Sequence, residues 1–170
     1  MLEKIKMRLK SRLEKTIQKQ NISLLQNLPK VIFFNVTTRC NMHCVMCDVG
    51  KGNKESQFYK NLAGEGKHFD FDIDNALKFL NDVIKYKPLV VICATEPLLY
   101  KDIHKFIKIL SKKGLYVDML TNGYLLKEHA QHLVNNGLSS IHISIDGIGE
   151  LHDKIRGMTG CFSKIGRAHV

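Results

Sequence analysis

Four short apolar runs alternate with helix-like segments along most of this chain. The runs cover residues 31–36, 89–94, 115–120 and 140–145, and each has the length of a strand. The segments between them predict helices over residues 73–84, 103–110 and 125–136. Because parallel strands need helical crossovers, this alternation predicts an α/β fold with a parallel sheet, either doubly wound or curled into a barrel.

Local signals place the ends of several of these elements. Asp72 stands directly before the first helical segment and is expected to cap it, and Gly114 and Gly137 follow the other two. Residues 50–68 are polar and glycine-rich without an apolar period, which predicts a long mobile loop. We assign the alternating part of the chain, residues 29–164, to one domain.

The positive charge of the chain is concentrated at its N-terminus. The formal net charge of the 170 residues is +10, and residues 1–20 hold seven basic residues against two acidic ones. Apolar side chains recur every four residues from Ile5 to Ile17, which predicts a basic amphipathic helix over residues 1–28. Three roles stay open for this helix. It is a solvated helix that packs on the domain through its apolar stripe, a helix that lies on a membrane surface, or a segment that binds nucleic acid or an acidic partner.

The sequence carries no sign of export or membrane insertion. No stretch approaches the ~20 consecutive apolar residues of a membrane span, and the charged N-terminus lacks the apolar block of a signal peptide. We therefore expect a cytoplasmic protein, in which closely spaced cysteines are more often metal ligands than disulfides.

A cysteine triplet follows the first predicted strand. Cys40, Cys44 and Cys47 have the spacing C-x3-C-x2-C, which lets one loop hold three irons of a four-iron cluster and leave the fourth iron open. A zinc site is the alternative, with His43 as a fourth ligand. It is disfavoured because zinc modules pair C-x2-C units with a second pair farther along the chain.

Polar residues also follow the other three predicted strands. Glu96 comes after the second strand, Asn122 after the third, and Ser144 and Asp146 after the fourth. In parallel α/β folds, ligands bind beyond the carboxyl ends of the strands. We therefore predict one shared site at this edge of the sheet.

These motifs together resemble those of radical S-adenosylmethionine (radical SAM) enzymes. The segment from Cys40 to Cys47, CNMHCVMC, matches the cluster motif of that superfamily, and similar segments run from about Val31 to Lys164. Thr95-Glu96-Pro97 lies where the family has Gly-Gly-Glu-Pro, with Ala94 and Thr95 in place of the glycines. The resemblance implies a partial (β/α) barrel of the radical SAM type, preceded here by the basic N-terminal helix.

The resemblance also implies cofactors and residue roles. Cys40, Cys44 and Cys47 would ligate a [4Fe–4S] cluster whose open iron binds S-adenosylmethionine, and reductive cleavage of this cofactor would yield a 5′-deoxyadenosyl radical that abstracts hydrogen from a substrate. Six further residues would bind S-adenosylmethionine. Glu96 would receive its ammonium group, Ser144 and Arg156 its ribose or carboxylate, and the backbone near Met46 its adenine, with Asn122 and Asp146 as supporting residues.

The identity of the substrate is not implied. Residues 144–157 are similar to the SPASM-type branch, whose members often modify peptides or proteins, so a peptide and a small molecule both remain open. The electron donor would be a low-potential protein such as flavodoxin or ferredoxin. The classes that compete with an enzyme are a non-catalytic zinc or iron–sulfur module and a basic surface-binding protein.

The length of the chain differs from that of a complete barrel. A full eightfold barrel takes roughly 250 residues, and four strands are visible here. We therefore expect a core domain truncated after about four strands and inactive alone. Residues 165–170 read as a non-native tail.

Overall fold

A computed structural model describes Lys15, residues 29–63 and residues 68–166. The chain divides into two compact units, Met1–Lys30 and Val31–Val170. The predicted basic helix over residues 1–28 lies outside the described residues except for Lys15, and the predicted tail lies outside them from residue 167 onward. In the part of the chain that the structure describes, no helix is long and apolar enough to cross a membrane.

The second unit is built on a four-stranded parallel sheet. The strands are β1 (Val31–Asn35), β2 (Leu89–Cys93), β3 (Val117–Thr121) and β4 (Ser140–Ile143). They pair in chain order, each parallel to the next. The predicted parallel α/β fold is confirmed, and the carboxyl ends of all four strands lie at one edge of the sheet.

Seven helices connect or follow these strands in the described residues. They are α1 (Asp48–Lys51), α2 (Gln57–Ala63), α3 (Ile73–Val83), α4 (Ile103–Lys112), α5 (Leu126–Asn135), α6 (Glu150–Arg156) and α7 (Cys161–Gly166). Asp72 caps α3 as predicted, since its side chain accepts a hydrogen bond from the backbone N–H of Asn75 at 3.0 Å. The helix α7 continues through the buried Ile165.

The prediction of a loop over residues 50–68 is wrong in part. Residues 57–63 form α2, and α1 extends to Lys51. The helix α2 begins just after Ser56, whose hydroxyl accepts a hydrogen bond from the backbone N–H of Tyr59 at 3.0 Å. Phe58 and Leu62, four residues apart, are the apolar pair on this short helix. Two apolar positions in a polar segment are too few to give a visible period.

The hydrophobic core lies between one face of the sheet and helices α3, α4 and α5. The helix α4 buries four side chains at helical spacing, namely Ile103, Phe106, Ile107 and Leu110. Phe106 makes edge-to-face contacts with Phe34 of β1 and with Phe71, at ring-centroid distances of 5.3 and 5.1 Å. The aromatic cluster therefore joins the first strand to the second crossover.

The opposite face of the sheet carries no helix among the described elements. The register places Phe33, Val91, Asp118 and Ser140 in one row across the four strands. Phe33 is 68% exposed. Asp118 is buried, accepts a hydrogen bond from Ser140 Oγ at 2.6 Å, and has its Oδ2 3.1 Å from His142 Nε2. This face thus combines exposed apolar area with a bonded polar cluster.

Removing the central aromatic side chain should destabilise the fold strongly. Phe106→Ala is expected to lower the free energy of unfolding by about 3–5 kcal/mol, because it leaves a cavity between α4 and the sheet. Phe79→Ala is the matched control, since Phe79 on α3 is 53% exposed. Urea denaturation followed by circular dichroism compares the two variants, and equal losses would contradict this account of the core.

Candidate metal centre at the carboxyl edge of the sheet

A cavity of about 260 Å³ opens at the carboxyl edge of the sheet. Cys40, Cys44 and Cys47 line it from the loop that follows β1, and all three are free thiols. The three differ in environment, since Cys40 is exposed and Cys44 is buried. Although Cys40 is exposed as a whole residue, neighbouring atoms desolvate its thiol and raise the pKa of that group above its ordinary value.

The cysteine loop is held in place by the end of α6. The backbone N–H of His43 donates to the carbonyl of Arg156 at 3.1 Å, and the N–H of Val45 donates to the carbonyl of Ile155 at 2.9 Å. The last carbonyls of a helix have no partner within the helix, so the loop satisfies acceptors that would otherwise be orphaned. Cys44 thus lies between two anchored residues.

Close approach of the backbones makes glycine necessary at this contact. Gly157 has φ of 63°, and a Cβ atom there would lie 2.4 Å from the carbonyl oxygen of His43. Gly50 supports the same loop from α1, where a Cβ atom would lie 2.7 Å from the backbone nitrogen of Cys44. Any side chain at position 157 would push the cysteine loop away from α6.

Arg156 points from α6 towards the thiols. Its Nη1 lies 3.7 Å from Cys44 Sγ, and its Nη2 lies 2.6 Å from Asp146 Oδ2. The side chain is 13% exposed. Asp146 and Arg156 therefore reach the cavity as an ion pair.

Glu96 lies behind the cavity wall and is fully buried. Its Oε1 accepts hydrogen bonds from Thr121 Oγ1 at 2.7 Å and from the N–H of Leu98 at 3.1 Å, and its Oε2 accepts from the N–H of Asn122 at 2.8 Å. Desolvation nevertheless raises the pKa of this carboxyl group, while the hydrogen bonds and the charge of Arg156 oppose that rise. The bond to Leu98 caps the short 3₁₀ helix Pro97–Leu99, so Glu96 has a structural role here.

Asn122, Ser144 and Met46 complete the predicted set. The side-chain amide of Asn122 donates to Asn41 Oδ1 at 2.8 Å and thereby ties the end of β3 to the cysteine loop. Ser144 follows β4 and lines the cavity, and Met46 lines it with 54% of its surface exposed. Of the nine residues selected from the sequence, eight line this cavity, and Glu96 contacts its wall from behind.

Sequence reasoning missed several cavity residues. Phe58 and Leu62 come from α2, which was predicted as loop, and Thr121 precedes Asn122 at the end of β3. The i, i+4 spacing of Phe58 and Leu62 was the available signal. Ala94 also lines the cavity, with φ of 89° in the left-handed region. That conformation explains why glycine suits this position.

The donor set fits a four-iron cluster. The three thiols line one cavity, and a four-iron cluster takes one such thiolate ligand for each iron that the protein holds. A guanidinium group beside Cys44 adds a positive charge next to sulfurs that become thiolates on binding iron.

Comparison with protein-family models gives a match to the radical SAM superfamily over residues 34–169. The chain belongs to this superfamily. The resemblance found in the motifs is thereby confirmed, and so are the cofactors it implies, since the family uses a [4Fe–4S] cluster and S-adenosylmethionine.

Curated relatives include enzymes with different substrates. The chain is 35% identical over 134 residues to Fe-coproporphyrin III synthase of Methanosarcina barkeri, covering 78% of this chain and 31% of the relative. It is 33% identical over 143 residues to the AdoMet-dependent heme synthase of the same organism, covering 82% and 38%. It is 35% identical over 117 residues to GTP 3',8-cyclase of Campylobacter jejuni subsp. doylei, covering 66% and 33%. The chain thus spans about a third of the length of these relatives.

Solved structures support the fold. SuiB of Streptococcus suis bound to S-adenosylmethionine matches with a TM-score of 0.62 and 15% identity, over 90% of this chain and 37% of that one. SuiB bound to its precursor peptide SuiA matches with a TM-score of 0.63 and 16% identity, over 88% and 34%. The partial barrel of the radical SAM type is therefore the fold of this chain.

The contact between Gly157 and the cysteine loop gives a direct test of the site. Gly157→Ala should displace the loop and reduce the iron bound after anaerobic reconstitution, because the new Cβ meets the carbonyl of His43. Gly52→Ala is the matched control, since Gly52 has φ of 65° and ψ of 31°, against 63° and 32° at Gly157, but a Cβ atom there has no neighbour within 4 Å. Both variants incur left-handed strain of about 1–2 kcal/mol, so an equal iron content in the two would refute the docking role.

Proposed function

We propose that this chain is the cofactor-binding part of an enzyme that starts a radical reaction by hydrogen abstraction. The observation that carries the proposal is the convergence of Cys40, Cys44 and Cys47 with Arg156 and Ser144 around one cavity at the carboxyl edge of the sheet. The family match and the identity of 33–35% to enzymes of this superfamily support it.

The three cysteines would hold the [4Fe–4S] cluster, and S-adenosylmethionine would bind beside it in the same cavity. When bound and reduced by one electron, the two cofactors supply a 5′-deoxyadenosyl radical for hydrogen abstraction. The protein supplies position and the exclusion of water. Phe58 and Leu62 form an apolar side of the cavity that suits this second task.

Glu96 would accept the ammonium group of the methionine moiety. Three of the roughly four lone-pair positions of a carboxylate are already used, by Thr121, Leu98 and the N–H of Asn122. One position is left for a cation. Because burial raises the pKa of Glu96, a positive charge beside it would stabilise the ionised form and gain a charge-assisted hydrogen bond.

The remaining cavity residues would hold the rest of the cofactor. Ser144 would bond to the ribose or carboxylate, and Arg156 retains N–H donors beyond those directed to Asp146 and Cys44, since a guanidinium has five. The backbone near the exposed Met46 would lie against the adenine. Asn122 and Asp146 would act indirectly, by fixing the cysteine loop and Arg156.

The substrate would approach along the helix-free face of the sheet, where Phe33 and His142 lie exposed. The relatives named for haem synthesis and GTP cyclisation act on small molecules, and SuiB binds a precursor peptide. The substrate is therefore either a small molecule or a peptide. A low-potential flavodoxin or ferredoxin would deliver the electron.

Anaerobic reconstitution tests the proposal. About four irons and four sulfides per chain are expected. Cleavage of S-adenosylmethionine needs the cluster and the cofactor site but not the part of the barrel that encloses a substrate, so release of 5′-deoxyadenosine after addition of dithionite and S-adenosylmethionine is expected without turnover of a substrate. Cys44→Ser should abolish both results, whereas Cys93→Ser should leave the iron content unchanged because Cys93 lies outside the triplet. Tight zinc binding with no uptake of iron would support a structural metal module instead.

The raised pKa of Glu96 predicts a pH dependence of cofactor binding. The ammonium group binds the ionised carboxylate, so affinity for S-adenosylmethionine should fall as the pH drops through that pKa, which burial raises above the ordinary value of a glutamate. Glu96→Gln should weaken binding about tenfold or more and remove this dependence, because a hydrogen bond to a charged group contributes about 1.5–3 kcal/mol.

Isothermal titration of the reconstituted protein between about pH 5 and pH 8 measures this effect. Glu150→Gln is the control, since Glu150 is exposed on α6. The same pH dependence in wild type and Glu96→Gln would remove Glu96 from the binding site.

A further inference from the structure

Arg156 lines the cavity and also contacts the cysteine loop. Its Nη1 is 3.7 Å from Cys44 Sγ, a distance at which an N–H can donate to sulfur. Its Nη2 is held at 2.6 Å by Asp146 Oδ2, so one edge of the guanidinium is fixed by a charge-assisted bond. The other edge is thereby directed at the thiol.

The backbone of Arg156 is tied to the same loop. Its carbonyl accepts the N–H of His43, and the preceding carbonyl, of Ile155, accepts the N–H of Val45. Cys44 lies between these two anchored residues. The guanidinium and the thiol therefore belong to one rigid contact, in which the side chain and the main chain of Arg156 both meet the loop.

The electrostatics of this contact act on the redox state of a cluster. Reduction by one electron adds a negative charge to a group already ligated by thiolates, and a cation that donates to one of the sulfurs stabilises the more negative state better. The carboxyl end of α6 points partial negative charge at the same loop. The positive charge of Arg156, in the last turn of that helix, offsets this partial negative charge.

We propose that Arg156 raises the reduction potential of the cluster by donating a hydrogen bond to the Cys44 thiolate, with Asp146 as the residue that orients it. This inference rests on the proposed function, because it requires a [4Fe–4S] cluster on the three cysteines. The electron comes from an external reductant, dithionite in the experiment below, and no bond forms or breaks at Arg156.

The test is a potentiometric titration of the reconstituted chain, followed by EPR of the reduced cluster and carried out without S-adenosylmethionine. Arg156→Gln should lower the ratio of reduced to oxidised cluster at a fixed potential by about tenfold, which is about 59 mV for a one-electron couple. Lys154→Gln is the matched control, because it removes the same charge from an exposed position on the same helix. It should leave the potential unchanged.

Arg156→Lys separates the hydrogen bond from the charge. It keeps the cation but loses the planar fork that reaches Asp146 and Cys44 together, so its potential should lie between those of wild type and Arg156→Gln. With ¹⁵N-labelled arginine, pulsed EPR of the wild type should show a nitrogen coupling to the cluster that Arg156→Lys lacks. If Arg156→Gln fails to retain iron, the comparison of Arg156→Lys with the wild type tests the inference in its place.

Equal potentials in Arg156→Gln and Lys154→Gln at equal iron content would overturn the inference, as would a wild-type spectrum without the arginine coupling. Failure of the proposed function is distinguishable from this result. It would show as absence of a four-iron cluster or of 5′-deoxyadenosine in the wild-type chain, whereas failure of the inference alone leaves both intact.

Discussion

The site depends on the docking of the cysteine loop against the carboxyl end of α6. Two backbone hydrogen bonds, from His43 and Val45 to Arg156 and Ile155, join a loop that follows β1 to a helix more than a hundred residues later. The contact satisfies helix carbonyls that have no partner of their own, and Gly157 permits the close approach. Without it, the thiols and the Asp146–Arg156 pair would not share a cavity.

A second set of bonds fixes the other side of the cavity. Glu96 joins the end of β2 to the end of β3 through Thr121 and the N–H of Asn122, and its own N–H donates to the carbonyl of Arg39 beside the cysteines. A buried carboxylate stays in place only when such partners compensate its desolvation. Glu96 thus connects the ends of the strands and is also a proposed ligand of the cofactor, and the same carboxyl group serves both roles.

Much of this arrangement was accessible from the sequence. Strand and helix alternation predicted the parallel sheet, and strand ends predicted which residues would meet, because strands that run parallel have their carboxyl ends at one edge of the sheet. The prediction placed Asn122, Ser144 and Asp146 at the cavity for this reason. It missed α2, since two apolar residues in a polar segment give no period.

The sequence by itself determined the family, the cofactors and the order of strands and helices, because cysteine spacing and local periodicity are encoded within short segments. Only the tertiary structure decided what each side chain contacts. Arg156 was selected as a ligand for a bound cofactor, and the fold also directs its guanidinium to Cys44 and Asp146. Such contacts join residues far apart in the chain, so their geometry depends on how the loop and the helix pack and is absent from any local pattern.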